Sequence, residues 1–152
     1  MDIYTLIRKD HDNAKSIMEK IKKLPASRHD ERLRFFRPLK DALIAHNESE
    51  EESFYVALKG YAKTAGDAEH SEKEHHEAAD MLEKLDDADM SAAEWDREFT
   101  KLCAALMKHI EREEGKVFAE ARAVLPEEMA RKLGNTMQDL KKKKTVLLKK
   151  AG

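Results

Sequence analysis

The segment HNESE at residues 46–50 has a counterpart in HIERE at residues 109–113, and both follow the pattern His-x-x-x-Glu. On an α-helix, positions four apart lie one turn above the other on the same face. Each segment therefore directs an imidazole and a carboxylate toward one point. A single such pair is common by chance. Two pairs on separate helices, together with lone histidines on two more helices, form the arrangement that a bundle needs to hold two transition-metal ions.

Apolar residues recur at helical spacing over most of the chain. Pro38 predicts either a kink in the second helix or a start near it. Ser91 with Glu94 is a capping-box signature, and Pro126 suits the first turn of a last helix. We predict helices over about residues 2–24, 29–62 and 66–86, from 91 onward, and over about 126–149.

Four long amphipathic helices with short connections predict an all-α, antiparallel up-down four-helix bundle with an additional C-terminal helix packed outside. We expect a single domain over residues 1–152. The bundle should take about residues 1–122 and the extra helix about 126–149.

A histidine falls on the apolar stripe of each long helix. His11 lies four residues after Ile7. His75 has apolar neighbours at plus three, four and seven, whereas His76 has Asp80 and Glu83 there, so we predict that His75 faces inward. The predicted metal ligands are His11, His46, Glu50, His75, His109 and Glu113.

Four imidazoles and two carboxylates are costly to bury unless a partner neutralises and coordinates them, and a pair of divalent metals does both. Two octahedral ions need about twelve ligand positions. Four histidines, two bridging glutamates and a bridging oxide or hydroxide supply about ten, which leaves about two for water or a small gas. Imidazole with carboxylate suits iron, and manganese or zinc could also occupy the site, with the ions ~3.5–4 Å apart.

Composition argues against several other classes of protein. The formal net charge of -2 provides no bulk attraction to nucleic acid or to an anionic membrane. The sequence contains no apolar run of about 18 residues and no signal-peptide pattern, so we expect no membrane span. The single cysteine, Cys103, is predicted to be a core residue and favours a reducing cytoplasm. The lysines at 141–144 are predicted to be a solvated helix face.

At these residues the chain resembles the hemerythrin-like family, the HHE cation-binding domains, over about residues 1–122. That family has a histidine on its first helix, His-x-x-x-Glu on the second, a histidine on the third and His-x-x-x-Glu on the fourth. A second acid follows each ligand glutamate in the family, and Glu51 and Glu114 stand there in this chain. The resemblance implies a hemerythrin-like bundle with a di-iron centre bridged by carboxylates and an oxo or hydroxo group.

Two departures separate the chain from the oxygen-carrying hemerythrins. Those proteins have a second histidine on the third helix, where Ser71 stands here. Their fourth-helix acid is an aspartate five residues after the histidine, where Glu114 stands, but the i+4 spacing favours Glu113. One iron should be less saturated, or completed by another group such as Glu72. Reversible oxygen carriage is therefore disfavoured, and reaction with oxygen, nitric oxide or peroxide is implied.

The sequence favours a cytoplasmic non-haem di-iron protein in sensing, iron and redox homeostasis or stress defence. It could be a binding module for a small diatomic gas, or an enzyme that turns over peroxide. A ferritin-like iron protein is an alternative, but such proteins use Glu-x-x-His on two helices, and this chain has one such segment, at residues 72–75. A structural bundle without metal is the remaining alternative. No nucleic acid or membrane partner is expected.

Overall fold

The computed structural model describes residues 1–151, which form helices joined by short turns and contain no strand. The described residues confirm the all-α bundle and its additional C-terminal helix. Their elements are α1 (Ile3–Lys23), α2 (His29–Glu51), α3 (Phe54–Lys59), α4 (Ala62–Leu85), α5 (Ala92–Arg112), a π-helical segment (Glu113–Val117), α6 (Phe118–Val124) and α7 (Glu127–Ala151).

Side-chain caps fix the beginnings of two of the long helices. Asp2 accepts a hydrogen bond from the backbone N–H of Thr5 at 2.8 Å and caps α1. Ser91 accepts from the N–H of Glu94 at 3.2 Å, so the cap predicted for α5 is confirmed. These bonds satisfy amide groups that have no partner inside the first helical turn.

The second helix is shorter than predicted. The expected helix over about 29–62 ends at Glu51, and α3 starts separately at Phe54. Pro38 lies inside α2 without ending it. The hydroxyl of Ser49 donates to the carbonyl of Ala45 at 2.7 Å, and that of Ser53 donates to the carbonyl of Ser49 at 2.6 Å. Such back-bonding competes with the helical hydrogen bonds and often bends a helix.

The fourth helix of the bundle is also irregular. A π-helical segment begins at Glu113 and separates α5 from α6. The interruption after α2 likewise follows Glu50 closely. Each irregular stretch therefore lies at or just after the glutamate of a His-x-x-x-Glu segment. π-Helical turns inside α-helices are frequently found at functional sites.

Two apolar clusters form the core, one toward each end of the bundle. The first includes Met18, Phe36 and Trp95, and the second includes Ile7 and Phe118. Cys103 lies buried in the first cluster as predicted, and burial raises the pKa of its thiol to about 11. Within residues 1–151, no helix is both long enough and apolar enough to cross a membrane.

Helix α7 packs along α1 and α2 on the outside of the bundle. Lys141 donates to Asp10 on α1 at 2.6 Å, and Lys144 forms an ion pair with Glu52. Lys142 and Lys143 are exposed. The lysine run predicted as a solvated face is therefore divided, because two of its members attach α7 to the bundle.

Gly134 of α7 lies against the backbone at the start of α1. A Cβ atom there would lie 2.2 Å from the Met1 carbonyl oxygen and 2.8 Å from the Asp2 carbonyl carbon. Gly134→Ala should lower the free energy of unfolding by about 1–3 kcal/mol, because overpacking outweighs the gain in helix propensity. Gly66→Ala in α4, where a Cβ meets nothing within 4 Å, should raise it by about 0.5–1 kcal/mol. Urea unfolding measures both, and an equal rise in the two variants would contradict this packing.

Candidate metal centre

The six predicted ligands meet in a buried polar layer between the two apolar clusters. Each is at most 6% exposed. Within the described chain, two groups place ligand atoms within 4.8 Å of one another. The first group contains His11, His46 and Glu113, and the second contains Glu50, His75 and His109.

The two glutamates connect the groups. Glu113 places Oε1 3.2 Å from the Nε2 of His11 and Oε2 3.8 Å from the Nε2 of His109. Glu50 places Oε1 3.6 Å from the Nε2 of His46 and 3.3 Å from the Nε2 of His75. Each carboxylate therefore lies between imidazoles of both groups, which is the position that a bridging carboxylate needs.

A carboxylate also lies on the outer nitrogen, Nδ1, of every histidine in the layer. In each pair the acid comes from the element that precedes the histidine's helix in order around the bundle. We call the four pairs the acid–histidine ring. They are Asp10 on α1 with His46 on α2 at 2.7 Å, Glu51 on α2 with His75 on α4 at 3.3 Å, Glu74 on α4 with His109 on α5 at 2.9 Å, and Glu114 in the π-helical segment with His11 on α1 at 2.7 Å.

This ring fixes how the imidazoles face the layer. An Nδ1–H that donates to a carboxylate leaves the Nε2 lone pair free, and metal-binding histidines usually have such a partner. The ring acids therefore orient the four Nε2 atoms inward and increase their basicity as ligands.

Several inward atoms have no hydrogen-bond partner within residues 1–151. They are the Nε2 atoms of His46 and His109, both carboxylate oxygens of Glu50, and Oε1 of Glu113. Buried polar atoms without partners are rare and costly. Imidazole nitrogen and carboxylate oxygen are ligands that transition metals accept, so the residues present fit a pair of such ions.

Charges within the layer raise the pKa values of two of its histidines and lower that of Glu50. Burial by itself lowers the pKa of His46, but the charge of Glu50 and the hydrogen bond with Asp10 outweigh it and raise the pKa to about 10. The pKa of His75 is raised to about 9, because Glu50 and Glu51 likewise outweigh burial. Burial would raise the pKa of Glu50, yet His46 and His75 hold it well below its usual range.

Tyr55 is a member of the site that the sequence did not place. Its hydroxyl donates to Oε2 of Glu113 and lies 3.4 Å from the Nε2 of His75. Burial, together with the nearby charges of Glu113 and Glu50, raises the pKa of the Tyr55 hydroxyl. The sequence makes Tyr55 a candidate hydrogen-bonding residue near the site, but it could not place the hydroxyl, because the turn after α2 decides where the side chain points.

Ser71 stands where the oxygen-carrying hemerythrins have a fifth histidine, and no predicted ligand takes its place. Ser71 is buried and its hydroxyl accepts a hydrogen bond from Arg112 at 3.2 Å. Glu72 forms an ion pair with Lys59 on α3 and belongs to neither group. In the structure Glu72 therefore contacts Lys59 and does not join either group of ligand atoms.

Both acids of the fourth helix contact the same imidazole. Glu113 faces the Nε2 of His11, whereas Glu114 contacts its Nδ1 at 2.7 Å. The inward position thus belongs to Glu113, at the i+4 spacing from His109. Glu114 takes the outer place. Periodicity also orients the third helix correctly, because His75 is buried and His76 is exposed.

Four imidazoles and two carboxylates buried inside a helical bundle define a metal-binding helical-bundle protein. The family model described as the hemerythrin HHE cation-binding domain matches residues 2–121. The chain belongs to this family, whose domain binds metal cations. Comparison with curated proteins and with solved structures finds no match. The matched region ends before α7 begins at Glu127.

Asp10→Asn tests the acid–histidine ring. An amide at this position no longer enforces the Nδ1–H form of His46, so we expect metal affinity to fall about 10–100-fold. Asp12→Asn is the matched control, since Asp12 is an exposed aspartate on the same helix. Competition with a coloured chelator measures both affinities. Equal metal affinities in the two variants would show that the acid–histidine ring does not contribute to metal binding.

The raised histidine pKa values predict how the metal-free protein responds to pH. A folded-state pKa above the ordinary value of 6.5 means that the stabilisation is fully present below about pH 6.5 and is lost as pH rises through 9 to 10. The urea midpoint of metal-free protein should therefore fall between about pH 7 and about pH 9.5. Metal-loaded protein should lose less, because the metal replaces these protons. A constant midpoint for the metal-free protein would contradict the assigned charges.

Proposed function

We propose that this chain is a non-haem di-iron protein that binds or reacts with a small oxidant, namely oxygen, nitric oxide or peroxide. Its proposed role is in sensing, in iron and redox homeostasis, or in stress defence. The observation that carries the proposal is the buried layer in which two groups of ligand atoms share two carboxylates.

The donor set supports two ions. His11 and His46 would serve one ion and His75 and His109 the other, while the glutamates of both groups would serve the pair. Six residues cannot fill about twelve positions even when both carboxylates bridge, so positions remain for a small exogenous ligand. Iron bound there supplies redox chemistry to that ligand.

The protein's own residues control the surroundings of that chemistry. Apolar clusters on both sides of the layer lower the local dielectric constant and strengthen electrostatic interactions inside it. The acid–histidine ring holds the imidazoles in one orientation. Tyr55 keeps its proton because of its raised pKa, and holds one oxygen of Glu113 by a hydrogen bond.

Iron loading tests the proposal directly. Anaerobic loading should give about two irons per chain, and exposure to air should produce new near-ultraviolet absorption. His75→Leu should reduce the iron content, because it removes a predicted ligand. His76→Leu should load like the parent protein, since the adjacent His76 is exposed. Folded parent protein without stoichiometric iron, or His75→Leu that loads fully, would refute the di-iron proposal.

The same loaded protein separates the two kinds of role. Stoichiometric spectral change with oxygen or nitric oxide, without turnover, supports a binding or sensing module. Repeated consumption of peroxide by the iron-loaded protein supports the peroxide enzyme. The metal-free protein is the control in both assays.

A further inference from the structure

A cavity of about 460 Å³ lies between α1, α2, α5 and α7. Its walls include His11, His46 and His109 of the metal centre. A water molecule takes about 30 Å³ in the liquid, and a diatomic gas needs little more, whereas small-molecule sites have volumes of about 300–1,000 Å³. The cavity is therefore far larger than a small oxidant requires.

The surface of the cavity is mostly apolar, and aliphatic side chains from three helices contribute to it. Ala14 and Ile17 come from α1, Leu43 from α2, and Leu106 and Ile110 from α5. Burial of apolar ligand surface against such a wall is favourable because it removes that surface from water. This wall selects a ligand with a mostly apolar body.

The charged groups around the cavity compensate one another. Lys141 binds Asp10 at 2.6 Å, and Arg37 binds Asp86 at 3.2 Å. The remaining charged residues of the wall, Asp41 and Lys149, have opposite signs. His46, a further cationic group of the wall, also contacts the carboxylate of Asp10, at 2.7 Å. Lys141, Arg37 and His46 thus already have carboxylate partners, so the wall favours a neutral ligand.

Helix α7 supplies the outer wall through Lys141, Thr145 and Lys149. These residues lie beyond the region, residues 2–121, that matches the family domain. The outer wall of the cavity is thus a property of this chain's C-terminal helix and not of the matched bundle alone.

We propose that this cavity binds a neutral, mostly apolar organic molecule beside the metal centre. Binding itself needs no metal. Only the position of the ligand beside a metal ion rests on the proposed function.

Fluorescence titration of the metal-free full chain with N-phenyl-1-naphthylamine, a neutral apolar probe, tests binding. We expect saturable binding of one probe per chain. Ala42→Phe and Asn13→Phe place a large side chain at exposed positions of the wall on two helices and should each weaken binding by about tenfold or more. Ala104→Phe, at an exposed alanine of α5 outside the wall, should bind like the parent protein.

Absence of saturable binding would overturn the proposal. So would equal affinity in the folded Ala42→Phe, Asn13→Phe and Ala104→Phe variants, because the probe would then occupy another surface. Circular dichroism melting curves establish that the variants are folded, and the use of two blocking positions keeps the result decisive if one variant does not fold.

Displacement of the probe tests the class of ligand. Octanol should displace it at a lower concentration than octanoate or octylammonium, which have the same chain length and opposite charges. Stronger displacement by either ion would show that the site selects a charged ligand and would overturn the assignment to neutral molecules.

Proximity to the metal centre has a separate measurement. Manganese(II) loading should broaden the fluorine resonance of bound 4-fluorotoluene in the parent protein, and Ala42→Phe should remove the effect. Binding without broadening in manganese-loaded protein would place the ligand away from the centre and overturn the proposal. Failure to load any metal would refute the di-iron proposal, whereas the titration of metal-free protein would still decide whether the cavity binds the probe.

Discussion

The structure depends on the burial of four imidazoles and two carboxylates between two apolar clusters. Such groups are tolerated in a core only when their charges and hydrogen bonds are compensated. The acid–histidine ring compensates the outer nitrogens, because each bundle helix receives an acid from the element before it. The ring also makes the bundle interdependent, since the displacement of one helix would separate two of the four acid–histidine pairs.

The ring follows an internal repeat in the sequence. An acid precedes His11 and His75, and a second acid follows each of the glutamates Glu50 and Glu113. The two halves differ nine residues after the histidine of each His-x-x-x-Glu segment, where Tyr55 stands in one and Phe118 in the other. Glu113 consequently has a hydroxyl partner, whereas both oxygens of Glu50 have none within residues 1–151. This difference makes the two halves of the proposed centre chemically unequal.

Helical periodicity predicted the inward histidines because neighbouring residues on one helix differ in direction by a fixed angle, which separates His75 from His76. It could not predict the break after α2 or the π-helical segment, since these depend on serine back-bonding and on packing between helices. The hydroxyl of Tyr55 could not be placed for that reason. The adjacent acids, such as Asp10 before His11, were a signal in the sequence, but their partners are on other helices and needed the tertiary structure.

Helix α7 contributes both to the wall of the cavity and to the charges around His46. Lys141 neutralises one oxygen of Asp10 while the other oxygen contacts Nδ1 of His46, so the position of α7 bears on a predicted ligand two contacts away. The same lysine lines the cavity beside the layer. Close packing at Gly134 holds the N-terminal half of α7 against the start of α1 and thereby limits how far the helix can shift. Lys141 thus belongs both to the wall of the cavity and to the contacts that orient His46, so a ligand that moved Lys141 would also disturb Asp10 and His46.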